Sequence, residues 1–217
     1  FRPDGKTVEI VLQVSNFHHR KSGFRNTILL GIADQIHHYH IQHWFVDAFT
    51  VGIVFIMGLY HLCIYAFRVK HITPLYFGIL CWLIAIRLGV TNMDTLLFHV
   101  PLMSWPFAFR LEYLTFFSTP PVFALFLQSL YPKDIHRWFI RIMIGCGIGF
   151  ALFTVFADTL LLSYTPTYYQ TVFLLGIMYY LFFLGRIIVK QREGAFYIGF
   201  ASLIVFSAVV IEMLFVQ

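Results

Sequence analysis

An unbroken apolar run from Phe45 to Phe67 limits what this chain can fold into more than any other feature. Trp44 and Arg68 flank the run, and Asp47 and His61 are its only readily charged side chains. As a helix rising about 1.5 Å per residue, it is long enough to cross a hydrocarbon layer of roughly 30 Å. It is too uniformly apolar for the surface helix of a soluble protein. The run therefore predicts a membrane span.

The composition agrees with a chain whose main solvent is lipid. Hydrophobic residues make up 59% of it, charged residues only 12%, and the mean hydropathy is +0.78. Soluble domains carry about twice that share of charge, so a soluble fold or a nucleic-acid-binding protein is not expected. Because Cys63, Cys81 and Cys146 all lie inside apolar runs, we interpret them as packing residues and predict no metal and no cofactor. No catalytic triad or phosphate-binding loop is present, so this segment is not predicted to be an enzyme.

Six apolar segments bounded by turn residues or charges predict a polytopic helical bundle, with spans at about 45–67, 74–89, 105–131, 138–156, 168–188 and 196–216. The loops after spans one, three and five hold or adjoin eight basic residues, namely Arg68, Lys70, Lys133, Arg137, Arg141, Arg186, Lys190 and Arg192. The other two loops, within 92–104 and 158–167, hold none. By the positive-inside rule, the amino terminus lies outside the cytoplasm. Gln217 then lies outside too, so we expect a seventh span beyond it.

The segment before the first span has a different pattern. Residues Val8 to Asn16 largely alternate between polar and apolar side chains and are rich in β-branched residues, which is typical of a half-buried strand. A single strand is not stable alone, so residues 1–31 are interpreted as the end of a β domain that begins before Phe1. Residues 32–217 form the helical domain, and 32–44 are expected to extend the first membrane helix outward.

Five short stretches carry a family resemblance by their order along the chain: Ile10–Phe24, Gly58–Leu62, Pro74–Gly78, Ile86–Arg87 and Arg110–Tyr113. In this order they resemble the bacterial seven-transmembrane receptors with diverse intracellular signalling modules. The resemblance implies a multi-pass protein of the bacterial inner membrane. It also implies an extracytoplasmic jelly-roll domain that binds a small molecule such as a carbohydrate, and a cytoplasmic output domain in the same chain. Homodimerisation is a further expectation.

Ionisable residues inside spans are costly, so they are the first candidates for function. In the predicted orientation five of them lie toward the outer leaflet: Asp47, Arg87, Arg110, Glu112 and Glu212. Arg110 and Glu112 point about 200° apart on a helix, so each needs a partner elsewhere. One hypothesis is a polar network in which the two arginines bridge to the three carboxylates. The alternative is interfacial anchoring, with the side chains reaching the lipid headgroups.

Four other patterns have a structural interpretation, in some cases beside a functional one. His61, near mid-depth, is expected to be a hydrogen-bonded core histidine rather than a proton sensor. The group His37, His38, His40 and His43 is interpreted as interfacial polar residues rather than metal ligands. Ser118 to Pro121 should kink the third span. Gly145 and Gly149 have the small-xxx-small spacing of close helix packing.

Taken together, these observations favour the transmembrane relay of a signalling receptor. The relay would pass ligand occupancy of the outer domain to the output domain through a change in helix packing. A small-solute transporter or channel subunit is the alternative, and it would require a polar path through mid-membrane. An intramembrane enzyme comes third, with the outer polar cluster as its only candidate site.

Overall fold

A computed structural model describes residues 11, 13, 28–91, 104–192 and 194–215. These residues form seven helices: α1 (Ala33–Phe67), α2 (Thr73–Thr91), α3 (Trp105–Leu130), α4 (Arg137–Phe156), the short α5 (Thr159–Leu162), α6 (Thr165–Val189) and α7 (Ala195–Phe215). The six long helices coincide with the six predicted spans. No strand occurs among the described residues. The predicted strand at Val8–Asn16 lies outside them apart from Val11 and Gln13, so the assignment of residues 1–31 stays a prediction.

Four stretches are long and apolar enough to cross a membrane, namely α1, α2, α4 and the α5–α6 stretch Thr159–Val189. The α3 helix is not among them because it carries Arg110, Glu112 and a polar segment before Pro120. α3 nevertheless packs between α2 and α4, which are both long and apolar enough to cross a membrane. The all-helical, polytopic membrane fold predicted from the hydropathy pattern is confirmed.

The helices pack in chain order. α1 contacts α2, α2 contacts α3, and α3 contacts α4, while α6 contacts α3, α4, α5 and α7. α1 has 35 residues, so it is longer than the hydrocarbon layer and begins at Ala33, as the absence of a helix breaker in residues 32–44 predicted.

α1 and α2 approach closely through two glycines. A Cβ atom added to Gly58 would lie 2.5 Å from Cδ1 of Trp82, and one added to Gly78 would lie 3.0 Å from the carbonyl oxygen of Gly58. Small residues of this kind let helix backbones meet in lipid, where no hydrophobic force drives helices together. Thr50 on α1 is exposed, and its hydroxyl donates to the carbonyl oxygen of Val46.

Two groups of buried apolar side chains hold α3, α4 and α6 together. The smaller group lies where α3 begins and is made by Phe109, Tyr113, Phe117, Leu162 and Tyr169. The larger group lies where α3 ends and α6 ends; from α3 it takes Ala124 and Leu127, and from α6 it takes Ile177, Tyr180, Phe183, Leu184 and Ile187. Both α3 and α6 contribute buried residues to each of these groups, so these two helices connect the two ends of the bundle.

Candidate functional site

Two arginines lie at one end of the bundle, where α2 ends and α3 begins. The guanidinium carbon of Arg87 lies 4.8 Å from the centroid of the Phe116 ring, a cation–π contact. Arg110 donates hydrogen bonds to the carbonyl oxygens of Val155, at 2.8 Å, and Ala157, at 3.2 Å. These carbonyls belong to the carboxyl end of α4, where the helix dipole favours a cation. Arg110 thus ties the start of α3 to the end of α4.

The three acidic residues of the predicted outer network differ in how far the structure describes them. Asp47 is half-buried on α1, and it has no hydrogen-bond or ion-pair partner in the described part of the chain. Glu112 is half-buried on α3. Glu212 belongs to α7, but its side chain lies outside the described set. The bridges from the two arginines to these carboxylates therefore stay a prediction. For Arg110, the partners in the structure are main-chain carbonyls rather than carboxylates.

His61 lies in the α1–α2 contact. Its Nδ1–H donates to the carbonyl oxygen of Met57 at 2.9 Å, and its ring centroid lies 4.5 Å from that of Phe77 on α2. A carbonyl can only accept, so this bond fixes the proton on Nδ1. The geometry gives His61 a packing role between two helices.

The four histidines at the start of α1 are exposed. His38 bonds to Gln42 at 3.0 Å, and the ring of Tyr39 lies 4.2 Å from that of His43. Within residues 28–91, 104–192 and 194–215, no three His, Cys, Asp or Glu side chains are grouped as metal ligands would be.

Two prolines inside α3 leave backbone carbonyls in the middle of the bundle without their usual helical hydrogen-bond donors. Pro120 and Pro121 have no N–H, so the carbonyls of Phe116 and Phe117 lose the helical donors that normally lie four residues ahead. The hydroxyl of Tyr169 on α6 donates to the carbonyl oxygen of Phe117 at 2.8 Å. Tyr169 and Phe117 are both 0% exposed, so bulk water does not reach this carbonyl. A side chain from a neighbouring helix satisfies the carbonyl that Pro121 frees.

α4 reaches the same point from the other side. A Cβ atom added to Gly147 would collide with Cγ of Pro121 and would lie 3.2 Å from the carbonyl oxygen of Phe117. Gly145 and Gly149, the pair with the small-xxx-small spacing, are exposed, and a Cβ atom added to either would have no neighbouring atom within 4 Å. The close approach predicted for this glycine-rich segment therefore occurs at its middle residue and not at the pair. We call Phe117, Pro121, Gly147 and Tyr169 the proline node.

The opposite end of the bundle holds a buried carboxylate with two basic partners. Asp134, in the α3–α4 loop, has a side chain that is only 4% exposed. Nζ of Lys190 lies 2.8 Å from its Oδ1, and Nε of Arg192 lies 3.1 Å from its Oδ2. Both basic residues belong to the α6–α7 turn. The hydrogen bond from Lys190, together with the two positive charges, holds the pKa of Asp134 below its usual value, although burial acts in the opposite direction.

The turn that Asp134 holds is itself strained. α6 ends in a Schellman motif, in which the N–H of Arg192 bonds to the carbonyl of Ile187 and the N–H of Gln191 to that of Ile188. This motif needs a left-handed residue after the helix, and Gln191 occupies that place with φ of 50°. Glycine is the residue that usually occupies it, because a Cβ atom is disfavoured there. The ion pairs on either side of Gln191 help to keep the turn in this shape.

A second polar link joins α6 to α7. The hydroxyl of Tyr180 donates to Oγ of Ser202 at 2.7 Å, and Ser202 in turn donates to the carbonyl of Ile198 at 2.6 Å. Tyr180 also lines a cavity of about 30 Å³ between α3, α4 and α6, next to Pro120. α7 is thus attached by the Asp134 ion pairs at its start and by this hydrogen bond two turns later.

Sequence reasoning did not find the proline node or the Asp134 ion pairs. Two signals were available. Asp134 is an acidic residue in an otherwise basic loop, and Pro121 implies that the carbonyl four residues before it needs another donor. Neither signal names the partner, because Tyr169, Lys190 and Arg192 lie far along the chain.

Comparison with known proteins agrees with this architecture. A family model described as "7TM diverse intracellular signalling" matches residues 43–216, which is most of the chain and begins just inside α1. No curated protein and no solved structure matches. The family match covers every helix of the bundle from the membrane part of α1 to α7. On this match, the chain is the membrane region of a signalling receptor and belongs to the seven-transmembrane family with diverse intracellular signalling.

Proposed function

We propose that this chain is the relay of a bacterial receptor of the inner membrane, with its amino terminus outside the cytoplasm. It passes the occupancy of an outer domain that binds a small molecule, such as a carbohydrate, to a cytoplasmic output domain in the same protein. The chain itself carries out no catalysis. The observation that carries the proposal is that α3 contacts both ends of the bundle and meets α6 at the proline node and again beside Asp134.

The outer end supplies the input in this proposal. Arg110 joins the start of α3 to the carboxyl end of α4 through two carbonyls. Strain applied to α1 or to the loop before α3 would change how α3 packs against α4. A helix interrupted by two prolines lacks two backbone hydrogen bonds, so it bends there more easily than a regular helix.

The inner end supplies the readout. Asp134 lies in the loop after α3, and it holds Lys190 and Arg192 in the turn before α7. A shift of α3 would move Asp134 relative to this turn, and the strained residue Gln191 makes the turn ready to change shape. Because α7 begins at this turn, a change in the turn would change how α7 packs against α6, and the output domain would sense that change in packing.

A transporter or channel is the alternative function. It would need a polar, water-accessible path through mid-membrane. The cavity between α3, α4 and α6 is about 30 Å³ in volume and is lined by apolar side chains and the ring of Tyr180. Apolar cavities of this size stay dry. This cavity therefore favours a relay that shifts its packing over a solute pathway.

The test perturbs one end of the bundle and measures the other. Spin labels at Lys133 in the α3–α4 loop and Tyr197 at the start of α7 report the inner end by electron double resonance in lipid nanodiscs. Arg110→Gln, which removes the contacts with Val155 and Ala157, is expected to shift or broaden the distance distribution between the labels. Phe107→Ala is the matched control, since this side chain is 56% exposed at the same end of α3.

The two functions give different results. A relay requires that Arg110→Gln, and not Phe107→Ala, changes the inner-end distance. If neither changes it, and liposomes containing the protein take up small solutes, the transporter replaces the relay.

A further inference from the structure

One exposed stripe of α4 combines positive charge with a shallow surface. Arg137, Arg141, Gly145 and Gly149 follow each other at intervals of four residues, so they share one side of the helix. All four are exposed. We call them the α4 stripe, and Trp138, which is 56% exposed, lies beside it.

The two arginines of the stripe differ from the other basic residues nearby. Lys190 and Arg192 have Asp134 as a partner. Arg137 and Arg141 have no acidic group within 4.0 Å in the part of the chain that the structure describes. Two guanidinium groups one helical turn apart, without a carboxylate, form a site whose charge is open to an anion.

The position of Arg137 at the start of α4 adds further positive charge to this site. Arg137 is the first residue of α4, where the helix dipole already contributes partial positive charge. The first turn of α4 contains no acidic residue, and His136 at the N-cap makes no side-chain hydrogen bond. Acidic residues at this end would stabilise a helix. Within the part of the chain that the structure describes, no carboxylate neutralises this end of α4, so it is open to an anion from outside the chain.

The position of Trp138 locates this charge at the membrane surface. Its ring lies 6.0 Å from the ring of Tyr179 on α6, and Tyr179 accepts a hydrogen bond from the N–H of His136 at 3.3 Å. Exposed tryptophans prefer the level of the lipid headgroups. Beyond Arg141 the stripe continues toward the membrane interior as Gly145 and Gly149, where no atom lies within 4 Å of an added Cβ. That surface is shallow enough for an acyl chain.

From these observations we infer that the α4 stripe binds an anionic phospholipid, with the phosphodiester held between Arg137 and Arg141 and an acyl chain lying over Gly145 and Gly149. A second copy of the chain is a less suitable occupant, although exposed glycines with this spacing can pair. In a symmetric pair the same surfaces meet, so the arginines of one copy would face those of the other and repel them. An anionic lipid matches both halves of the stripe, because its phosphate is opposite in charge to the arginines and its acyl chain is apolar like the surface over the glycines.

Native mass spectrometry of the protein, purified in a neutral detergent, tests this inference. Phosphatidylglycerol and phosphatidylcholine with the same acyl chains are added in equal amounts, and the bound lipids are counted. We expect the protein to prefer phosphatidylglycerol. Arg137→Gln with Arg141→Gln should weaken this binding about tenfold or more, since charge-assisted bonds to phosphate are lost.

The control removes the same charge from the same end of the bundle but outside the stripe, by Lys133→Gln with Arg186→Gln. Both of these side chains are exposed. The inference requires that this control keeps most of the preference for phosphatidylglycerol. If the two double variants lose it equally, only the overall positive charge of this end attracts lipid, and the inference is wrong.

Gly145→Leu separates the lipid from the second copy. A leucine on the shallow surface should lower phosphatidylglycerol retention while leaving the protein in the same oligomeric state. If Gly145→Leu instead converts a dimer into a monomer and leaves lipid retention unchanged, a second copy occupies the stripe and the inference is overturned. Because all substituted side chains are exposed, thermal unfolding of each variant should remain close to that of the parent protein.

Discussion

Replacing Tyr169 with phenylalanine removes one hydroxyl and leaves the ring in place, so it isolates the hydrogen bond to the carbonyl of Phe117. Both residues are 0% exposed, and the donor that would normally come from residue 121 is missing because that residue is proline. Hydrogen bonds between membrane helices contribute about 0.6 kcal/mol on average and up to about 1.7 kcal/mol. Since this carbonyl has lost its helical partner, we expect a loss near the upper end, about 1.5 kcal/mol.

The physical reason can be tested separately from the size of the effect. Pro121→Ala restores an N–H four residues after Phe117, so the carbonyl regains its own helical donor. In that background, Tyr169→Phe should cost only about 0.5 kcal/mol, which gives a coupling of about 1 kcal/mol between the two sites. Pro121→Ala also leaves a cavity beside Gly147. Because this cavity is present with and without Tyr169→Phe, its cost cancels in the double-mutant cycle.

The assay is unfolding in mixed micelles with increasing sodium dodecyl sulfate, followed by circular dichroism. Tyr168→Phe is the matched control, because this neighbouring tyrosine is 69% exposed and makes no hydrogen bond through its hydroxyl among the described residues. It should change the free energy of unfolding little. An equal cost for Tyr169→Phe in the proline and alanine backgrounds would refute the idea that Tyr169 serves the carbonyl freed by Pro121.

Three other predictions concern the packing of α4 and the turn before α7. Gly147→Ala should destabilise the fold by about 1–3 kcal/mol through its collision with Pro121, whereas Gly145→Ala should be almost neutral; equal effects in the same unfolding assay would contradict this. Gln191→Gly should stabilise by about 1 kcal/mol, because glycine adopts the φ of 50° without strain; unchanged or lower stability would show that the turn is not strained. The lowered pKa of Asp134 means that its ion pairs contribute fully above the ordinary carboxyl pKa of 3.8 and are lost as the pH falls through the lower folded value. Stability measured from pH 6 downward to about pH 2 should therefore decline less steeply in Asp134→Asn than in the parent protein, and identical slopes would oppose the assignment.

The spans could be predicted from the sequence because lipid imposes one simple rule on every segment. A stretch must be apolar and about 20 residues long to cross, so length and hydropathy alone locate α1, α2, α4 and α6. The same rule located α3 less directly, since Arg110, Glu112 and the prolines lower its hydropathy. The outward extension of α1 to Ala33 followed from the lack of a breaker in residues 32–44.

The partners of individual polar groups could not be predicted in this way. Arg110 was expected to need a carboxylate, but the carboxyl end of α4 offers carbonyls that serve a guanidinium as well. Gly145 and Gly149 have the spacing of a packed pair, but the rotation of α4 turns Gly147 toward Pro121 instead. Spacing fixes which residues share a helix face, and it does not fix which neighbour that face meets.

By itself, then, the sequence determined that this chain lies in a membrane, how many long helices it forms and where each begins and ends, because those properties depend on local hydropathy. The contacts between helices were decided only by the tertiary structure. The pairing of Tyr169 with the carbonyl of Phe117 and the meeting of Asp134 with Lys190 and Arg192 depend on how helices rotate and stack. These orientations arise from many small packing contacts summed over distant residues, and no local pattern in the chain encodes them.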